Sequence, residues 1–468
     1  MAVAQQAEEK SAAVDDRIDP ALLKIAIVVL LGSFTTLLDT TIVVVAFDSL
    51  VREFHSSLAA VQWVSTAYLL ALSAVIPLTG WASHRFGVKP LWMVSIALFA
   101  GGSLLCGLAW SLPSLIVFRV IQGMGGGMIM PLGQTLLAQA AGPSRMGRVM
   151  TLVAIPAQLS PILGPVLGGV LTDGPGWEWL FLINVPVGVA ALAMSVKAIA
   201  PTTPERGERL DFVGLLLLSP GLAALVYGLS EVGGQRAGLT VVLPLVLGAL
   251  LVLAFAVYAL RTKITPLLDL RLFSRRAFTA PTLVMFFFGF CYFGPMFLLP
   301  LYFQQVRGHG ALAAGLLLAP QGLGTLTAML VVGKKTDKIG PRPLIIAGLI
   351  ITLLGTVAYT QVQADTSELL LGLSLYVRGI GIGAAVIPIM AAAYIGLEKT
   401  AIPKASTTVN IMQRVGGSFG TALLAVVLQH ELARGGDVSV AYGHTFWWTL
   451  GFSVIALVPA FLIPRKRV

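Results

Sequence analysis

Charge is what this chain has least of: 11% of its 468 residues are Asp, Glu, Lys or Arg, while 57% are hydrophobic. Soluble domains carry about 25% charged residues, so a water-bathed surface over the whole chain is excluded. Most of that surface has to meet lipid. Cysteine is nearly absent, with only Cys106 and Cys291, both in apolar stretches. Two such residues specify neither a disulfide framework nor a metal site and read as small buried hydrophobes. The five histidines (His55, His84, His309, His430 and His444) fall in predicted loops or at the ends of apolar runs. Neither metal nor nucleophilic catalysis is therefore expected. No Gly-x4-Gly-Lys-Ser/Thr phosphate loop is present, and no polar segment is long enough for a nucleotide domain, which argues against an ATPase. The expectation is no enzyme activity and no cofactor. The opening residues mix Glu8, Glu9, Lys10, Asp15, Asp16 and Arg17 without a basic start or a small-residue cleavage site, unlike a signal peptide.

What is abundant is apolar sequence. Runs of about 20 residues, long enough to cross the hydrocarbon, occupy 22–47, 58–82, 90–110, 113–139, 149–171, 178–197, 212–231, 239–260, 277–303, 311–333, 343–362, 368–394, 405–430 and 445–464. Fourteen crossings put both termini on one side. That side then holds 24 of the 31 Lys and Arg residues; the opposite side has four, and three lie within the runs. Such asymmetry predicts cytoplasmic termini and a multi-pass plasma-membrane protein. It also accounts for the net charge of +10 through anionic lipid, with no nucleic-acid partner expected. Continuous rather than alternating hydrophobicity excludes a transmembrane β-barrel. The 50 glycines and 26 prolines are tolerable where neighbouring helices satisfy freed backbone groups.

Away from the ends of the runs only four charged side chains occur, and only Asp39 is acidic; the others are Arg119, Arg378 and Arg414. A carboxyl group at that depth costs roughly 2.5–3.5 kcal/mol on insertion scales, so function is the default hypothesis. An internal repeat accompanies it. Gly80 to Lys89 and Gly333 to Arg342 share two glycines and two basic positions at an offset of 253 residues, and Arg119 echoes Arg378 at 259. Two related six-helix halves that rock about a central site are a common transporter plan. The expected organisation is a tail over 1–21, a six-helix bundle over 22–200, a linker with two inserted helices over 201–265, a second bundle over 266–464, and a tail over 465–468.

With those residues in hand the chain resembles the major facilitator superfamily, in its fourteen-span drug:proton antiporter branch. Leu38-Asp39-Thr40-Thr41-Ile42-Val43 looks like that branch's first-helix signature, and Gly80 to Lys89 like the superfamily loop motif. Phe118 to Gly123, around Arg119, resembles the helix 4 motif, Pro161 to Gly169 the antiporter motif of helix 5, and Pro266 to Phe273 a segment typical of the branch. The resemblance implies an all-α membrane protein of the major facilitator fold, two six-helix bundles plus two central helices. It also implies a conformational latch at Gly80, His84, Arg85, Gly87, Asp337 and Gly340. His84 stands where relatives have an acid, which predicts a weaker or pH-responsive latch or an ordinary loop histidine. Val44 and Asp48 replace a usual asparagine and proline.

Asp39 and Arg119 fall at comparable depth in the outer half of the bilayer by the rise of a helix. A nearby cation favours the ionised carboxyl and desolvation the neutral one. The reading is a proton-coupled antiporter in which Asp39 takes a proton outside and releases it inside, with Arg119 holding or relaying the charge. The alternative is a fixed buried ion pair. Gly164, Pro165, Gly168 and Gly169 read as a hinge or seal, or as close packing. Candidate cavity residues are Gln62, Gln122, Gln158, Phe286, Tyr292, Phe293 and Gln321; Asn184 and Gln304 are further polar residues within reach of a cavity. Arg378 reads as a partner for backbone carbonyls, and Arg414 as a snorkelling residue with a structural or gating role. With no second acid, neutral, zwitterionic or monovalent lipophilic compounds are the expected substrates, beside protons and membrane lipids as partners of a monomer. Export or flipping of a lipid or lipid-linked metabolite is the alternative, and a non-transporting membrane sensor or scaffold the alternative of another class.

Overall fold

The computed structural model describes residues 20–141, 145, 149, 160, 163–164, 167–172, 174–201, 210–231, 238–262, 264, 266–268, 270–309, 311–398 and 400–464. Among these, every regular element is helical and no strand occurs. Thirteen helices are long and apolar enough to cross a bilayer. We number them α1 (Pro20–Val45), α2 (Trp63–Phe86), α3 (Val88–Gly107), α4 (Leu112–Ala141), α5 (Trp179–Ala198), α6 (Phe212–Glu231) and α7 (Leu239–Arg261). The rest are α8 (Arg276–Gln305), α9 (Ala319–Ile339), α10 (Pro341–Val357), α11 (Glu368–Tyr394), α12 (Ile402–Ala433) and α13 (Val438–Leu462). The run predicted at 149–171 lies mostly outside the described residues, as do the linker residues 202–209 and the terminal residues 1–19 and 465–468.

Helix ends depart from the hydropathy runs for a consistent reason. An apolar run marks what lipid covers, whereas a helix ends where its backbone is capped. The run 58–82 becomes a helix reaching Phe86, stopped by Gly87 at φ +87, ψ 151, after which α3 starts at once. The run 311–333 likewise becomes α9, which reaches Ile339 and stops at Gly340, φ +90, ψ 163. Only glycine adopts that backbone region without strain, so the two loops of the repeat turn through one shared device.

Packing repeats as well. In the amino-terminal half α4 packs between α2 and α3; in the carboxyl-terminal half α11 packs between α9 and α10. Gly123 and Gly127 bring α4 against the backbone oxygens of Tyr68 and Leu72, while Gly379 and Gly383 bring α11 against those of Gln321 and Thr325. Gly102 meets the backbone of Gln122 just as Gly355 meets that of Arg378. The register of these helices is thus 256 residues, Gly123 to Gly379. This corrects the sequence echo. Arg378 is the counterpart of Gln122, one helical turn deeper than Arg119, because close approach at glycine fixes register and a matching side chain does not.

A Cβ at Gly379 would collide with the Gln321 carbonyl, whereas one at Gly451 meets nothing within 4 Å. We therefore expect Gly379→Ala to lower the thermal midpoint of the purified protein by an overpacking cost of about 1–3 kcal/mol. Gly451→Ala should be neutral or better, since alanine favours a helix. Equal behaviour of the two would contradict the packing account.

Helices α6 and α7 form a hairpin in which α6 touches α2 and α12 while α7 packs on α6. Leu239, Leu243, Leu250, Leu253 and Leu260 on α7 are all exposed, an apolar surface suited to lipid rather than water. Buried Asp211 ties this hairpin down. It accepts from the Gly214 amide at the start of α6, from the Tyr258 hydroxyl of α7 (2.8 Å) and from the Leu267 amide (3.3 Å).

Candidate functional site

The first helix carries Asp39 into the amino-terminal bundle with none of its side chain exposed. Burial of an ionised group is tolerable only when it is paired and hydrogen-bonded, and here both conditions hold. Arg119 of α4, 1% exposed, donates from Nη1 to Asp39 Oδ2 at 2.5 Å. Gln122, one turn on, donates from Nε2 to Asp39 Oδ1 at 2.8 Å, and Asn184 of α5 adds a third donor at 3.3 Å. Spacing of i and i+3 sets Arg119 and Gln122 side by side on one face of α4.

The second set of contacts fixes the first. Arg119 Nε donates to the Val64 carbonyl at 3.0 Å, and its guanidinium lies 4.0 Å from the Tyr68 ring centroid. Such a cation over an aromatic face is attracted by the ring quadrupole. The Tyr68 hydroxyl donates to the Thr36 carbonyl of α1 at 3.5 Å. Gln122 Oε1 accepts from Arg119 at 2.6 Å, and its amide also donates to Ser103 Oγ at 2.7 Å. Because a guanidinium only donates, Gln122 has to turn its oxygen to Arg119 and its NH2 group to Asp39. Among the described residues the carboxyl group accordingly meets donors alone: a guanidinium and two amide NH2 groups.

An all-donor pocket matches an ionised carboxylate. A protonated Asp39 would carry an O–H with no acceptor facing it among the described groups as they are oriented, and a buried donor left unsatisfied costs about 1–3 kcal/mol. Adding a proton thus strains this arrangement and favours any other arrangement that supplies an acceptor or water. Two residues beyond Asp39, Thr41 Oγ1 donates to the Ser160 carbonyl at 3.0 Å, and a methyl group on Gly164 would run into the Thr41 hydroxyl. The Asp39 turn is therefore mechanically joined to the segment that bears the proposed hinge. Gly168 accepts from Thr172 at 2.6 Å, and Gly169 has no neighbour within 4 Å of an added Cβ.

The remaining sequence candidates are dispersed. Gln122 does not line a cavity; it is fully buried against Asp39, and its polar capacity is spent there. Gln62 is exposed, preceding α2. Gln321 accepts from Arg378 Nη1, and Arg378 Nη2 donates to the Cys291 carbonyl at 2.6 Å. Phe286 is half-buried, Tyr292 buried and Phe293 exposed, with Tyr292 and Phe293 edge to face at 4.9 Å. Gly80 abuts Lys404 and Thr407 of α12, and His84 and Arg85 form the last turn of α2. Gln158 and Pro165, and the side chain of Asp337, lie outside the described residues. Arg414 stands twelve residues into α12, about 18 Å along the helix, and is half-buried.

Sequence reasoning missed a second polar cluster. Hydrogen bonds joining the two halves converge on buried Gln134 of α4. Its Oε1 accepts from Tyr394 of α11 at 2.9 Å, and from Ser406 (3.2 Å) and Asn410 (2.7 Å) of α12. Ser406 also donates to the Pro131 carbonyl at 2.9 Å. These residues lie toward the end of the molecule where the Gly87 and Gly340 loops turn. The available signal was an uncharged amide inside an apolar run, which looks the same whether it seals, lines or merely packs.

A family profile described as Major Facilitator Superfamily matches residues 29–421. Over 430 residues the chain is 40% identical to the multidrug resistance protein B homolog of Mycobacterium tuberculosis (strain ATCC 25618 / H37Rv), covering 91% of this chain and 80% of that protein. It is 32% identical to the multidrug export protein EmrB of Escherichia coli (strain K12), covering 86% and 79%. The solved proton:xylose symporter XylE superposes with a TM-score of 0.66 at 16% identity, over 95% of this chain and 96% of that one, which speaks to the fold alone. Matched along most of its length, and built as two halves that repeat one helix packing, this chain belongs to the major facilitator superfamily.

Proposed function

We propose that the protein is a proton-coupled antiporter that exports lipophilic or amphipathic small molecules by alternating access, with Asp39 as the coupling carboxylate. The observation that carries this reading is the all-donor pocket. A site whose described groups all donate to the acid gives protonation the leverage to change conformation. The names of the relatives at 40% and 32% identity, which concern multidrug resistance and export, support the substrate side. The charge asymmetry of the loops supports cytoplasmic termini, and under that orientation the Gln134 cluster is a cytoplasmic seal. In the sealed state Asp39 is ionised and awaits a proton from outside. Protonation dissolves its pocket, α1 pulls on the fifth segment through Thr41, and the seal yields to let substrate enter from within. Purified protein in liposomes with an imposed pH difference tests the reading: substrate should move against its own gradient only when the pH difference is present. A sensor or scaffold would move none.

The seal makes its own prediction. Gln134→Leu keeps the volume but leaves Tyr394, Ser406 and Asn410 without their shared acceptor. The expected result is a population shift toward the state open at the cytoplasmic end, read as at least about fivefold faster labelling of a cysteine introduced near Asn410. Unchanged labelling would remove Gln134 from the gate.

A further inference from the structure

One charged side chain at membrane depth remains without a counterion. Arg119 has Asp39, and Arg378 is held by Gln321 and the Cys291 carbonyl. Arg414 has neither a carboxylate nor a hydrogen-bond partner among the described residues, and it is half-buried. Asn410, one turn before it on the same face of α12, is bonded to Gln134 of the other half. Arg414 therefore lies on the side of α12 that meets the other bundle, one turn beyond the Gln134 seal. Three residues on, Gly417 receives the ring of Phe293, itself 39% exposed.

We infer that Arg414 binds the anionic head group of the transported compound, and that the cavity takes amphipathic aromatic acids. An unpaired arginine at this depth is unfavourable unless something completes it. Its planar fork suits a carboxylate or sulfonate, and the Phe293 ring one turn away offers contact to an aromatic body. The one acid deep within the apolar runs, Asp39, is consumed by Arg119 and two amides, so no carboxylate at that depth among the described residues competes for the guanidinium. This narrows the expectation drawn from sequence, which favoured neutral, zwitterionic or monovalent compounds. The inference rests on the transporter reading but not on proton coupling.

The test is equilibrium binding of pyrenebutyric acid and its primary amide to the purified full-length chain. The wild type should bind the acid about tenfold more tightly than the amide, as expected of a charge-assisted pair. Arg414→Gln should bring that preference within twofold of unity, while Arg414→Lys, which keeps the charge, retains part of it and reports that the site still folds. Asp39→Asn should retain the acid preference even where transport has stopped, which separates this inference from the coupling mechanism. Equal wild-type affinities, or a preference that survives Arg414→Gln, would overturn it. So would native mass spectrometry showing a phospholipid held by the wild type and lost in Arg414→Gln without any acid preference. The anion would then be a lipid phosphate.

Discussion

Asp39→Asn should reduce gradient-driven efflux to the level of empty liposomes, with the protein still inserted, monodisperse and able to exchange substrate down its own gradient. Asparagine is nearly isosteric and its oxygen can still accept from Gln122 and Asn184, so gross structure survives. What disappears is the change between an ionised and a neutral group. Arg119 loses its anion and the pocket loses its preference for one charge state, so proton binding no longer biases the bundles. Asp39→Glu, which restores the charge one methylene out of place, should recover part of the activity. If Asp39→Asn retains uphill transport at half the wild-type rate or more, the coupling group lies elsewhere.

Arg119→Leu is expected to have the largest effect on stability. It leaves Asp39 buried with two amide donors and no cation, and an uncompensated buried charge of this kind costs about 3–5 kcal/mol. The second substitution should rescue the first: Asp39→Asn/Arg119→Leu ought to be markedly more stable than Arg119→Leu alone, although it has lost more native groups. Thermal midpoints of the four proteins in one detergent form the cycle. Additive losses would mean that Asp39 and Arg119 do not stabilise each other as a charged pair. Arg119→Lys should fall between, because an ammonium cannot reach Val64, Asp39 and Gln122 together as the guanidinium fork does.

How much of this was legible in the chain depends on how far each feature reaches. A lone acid and a lone arginine in apolar runs are conspicuous, and the rise of a helix suffices to put Asp39 and Arg119 at one depth. The two amide donors to Asp39 were not legible, because they arrive from 83 and 145 residues away. Gln122 was read as a cavity residue because a polar side chain in an apolar run carries no sign of what it will face. The repeat was visible in the Gly87 and Gly340 loops, where glycine is demanded by backbone conformation. In α4 and α11 the arginine echo misled by one turn, since register there is set by glycine meeting backbone, a property of the packed pair.

The central claim is that Asp39 exists in two protonation states, each tied to one arrangement of the bundles. Infrared difference spectroscopy of the purified protein, stepped in pH and recorded with and without transported substrate, observes the carboxyl group directly. The account predicts a carboxylic acid band that appears on acidification, shifts its midpoint when substrate is added, and is missing from Asp39→Asn. A carboxylate that stays ionised across the whole range, or a band indifferent to substrate, would contradict it.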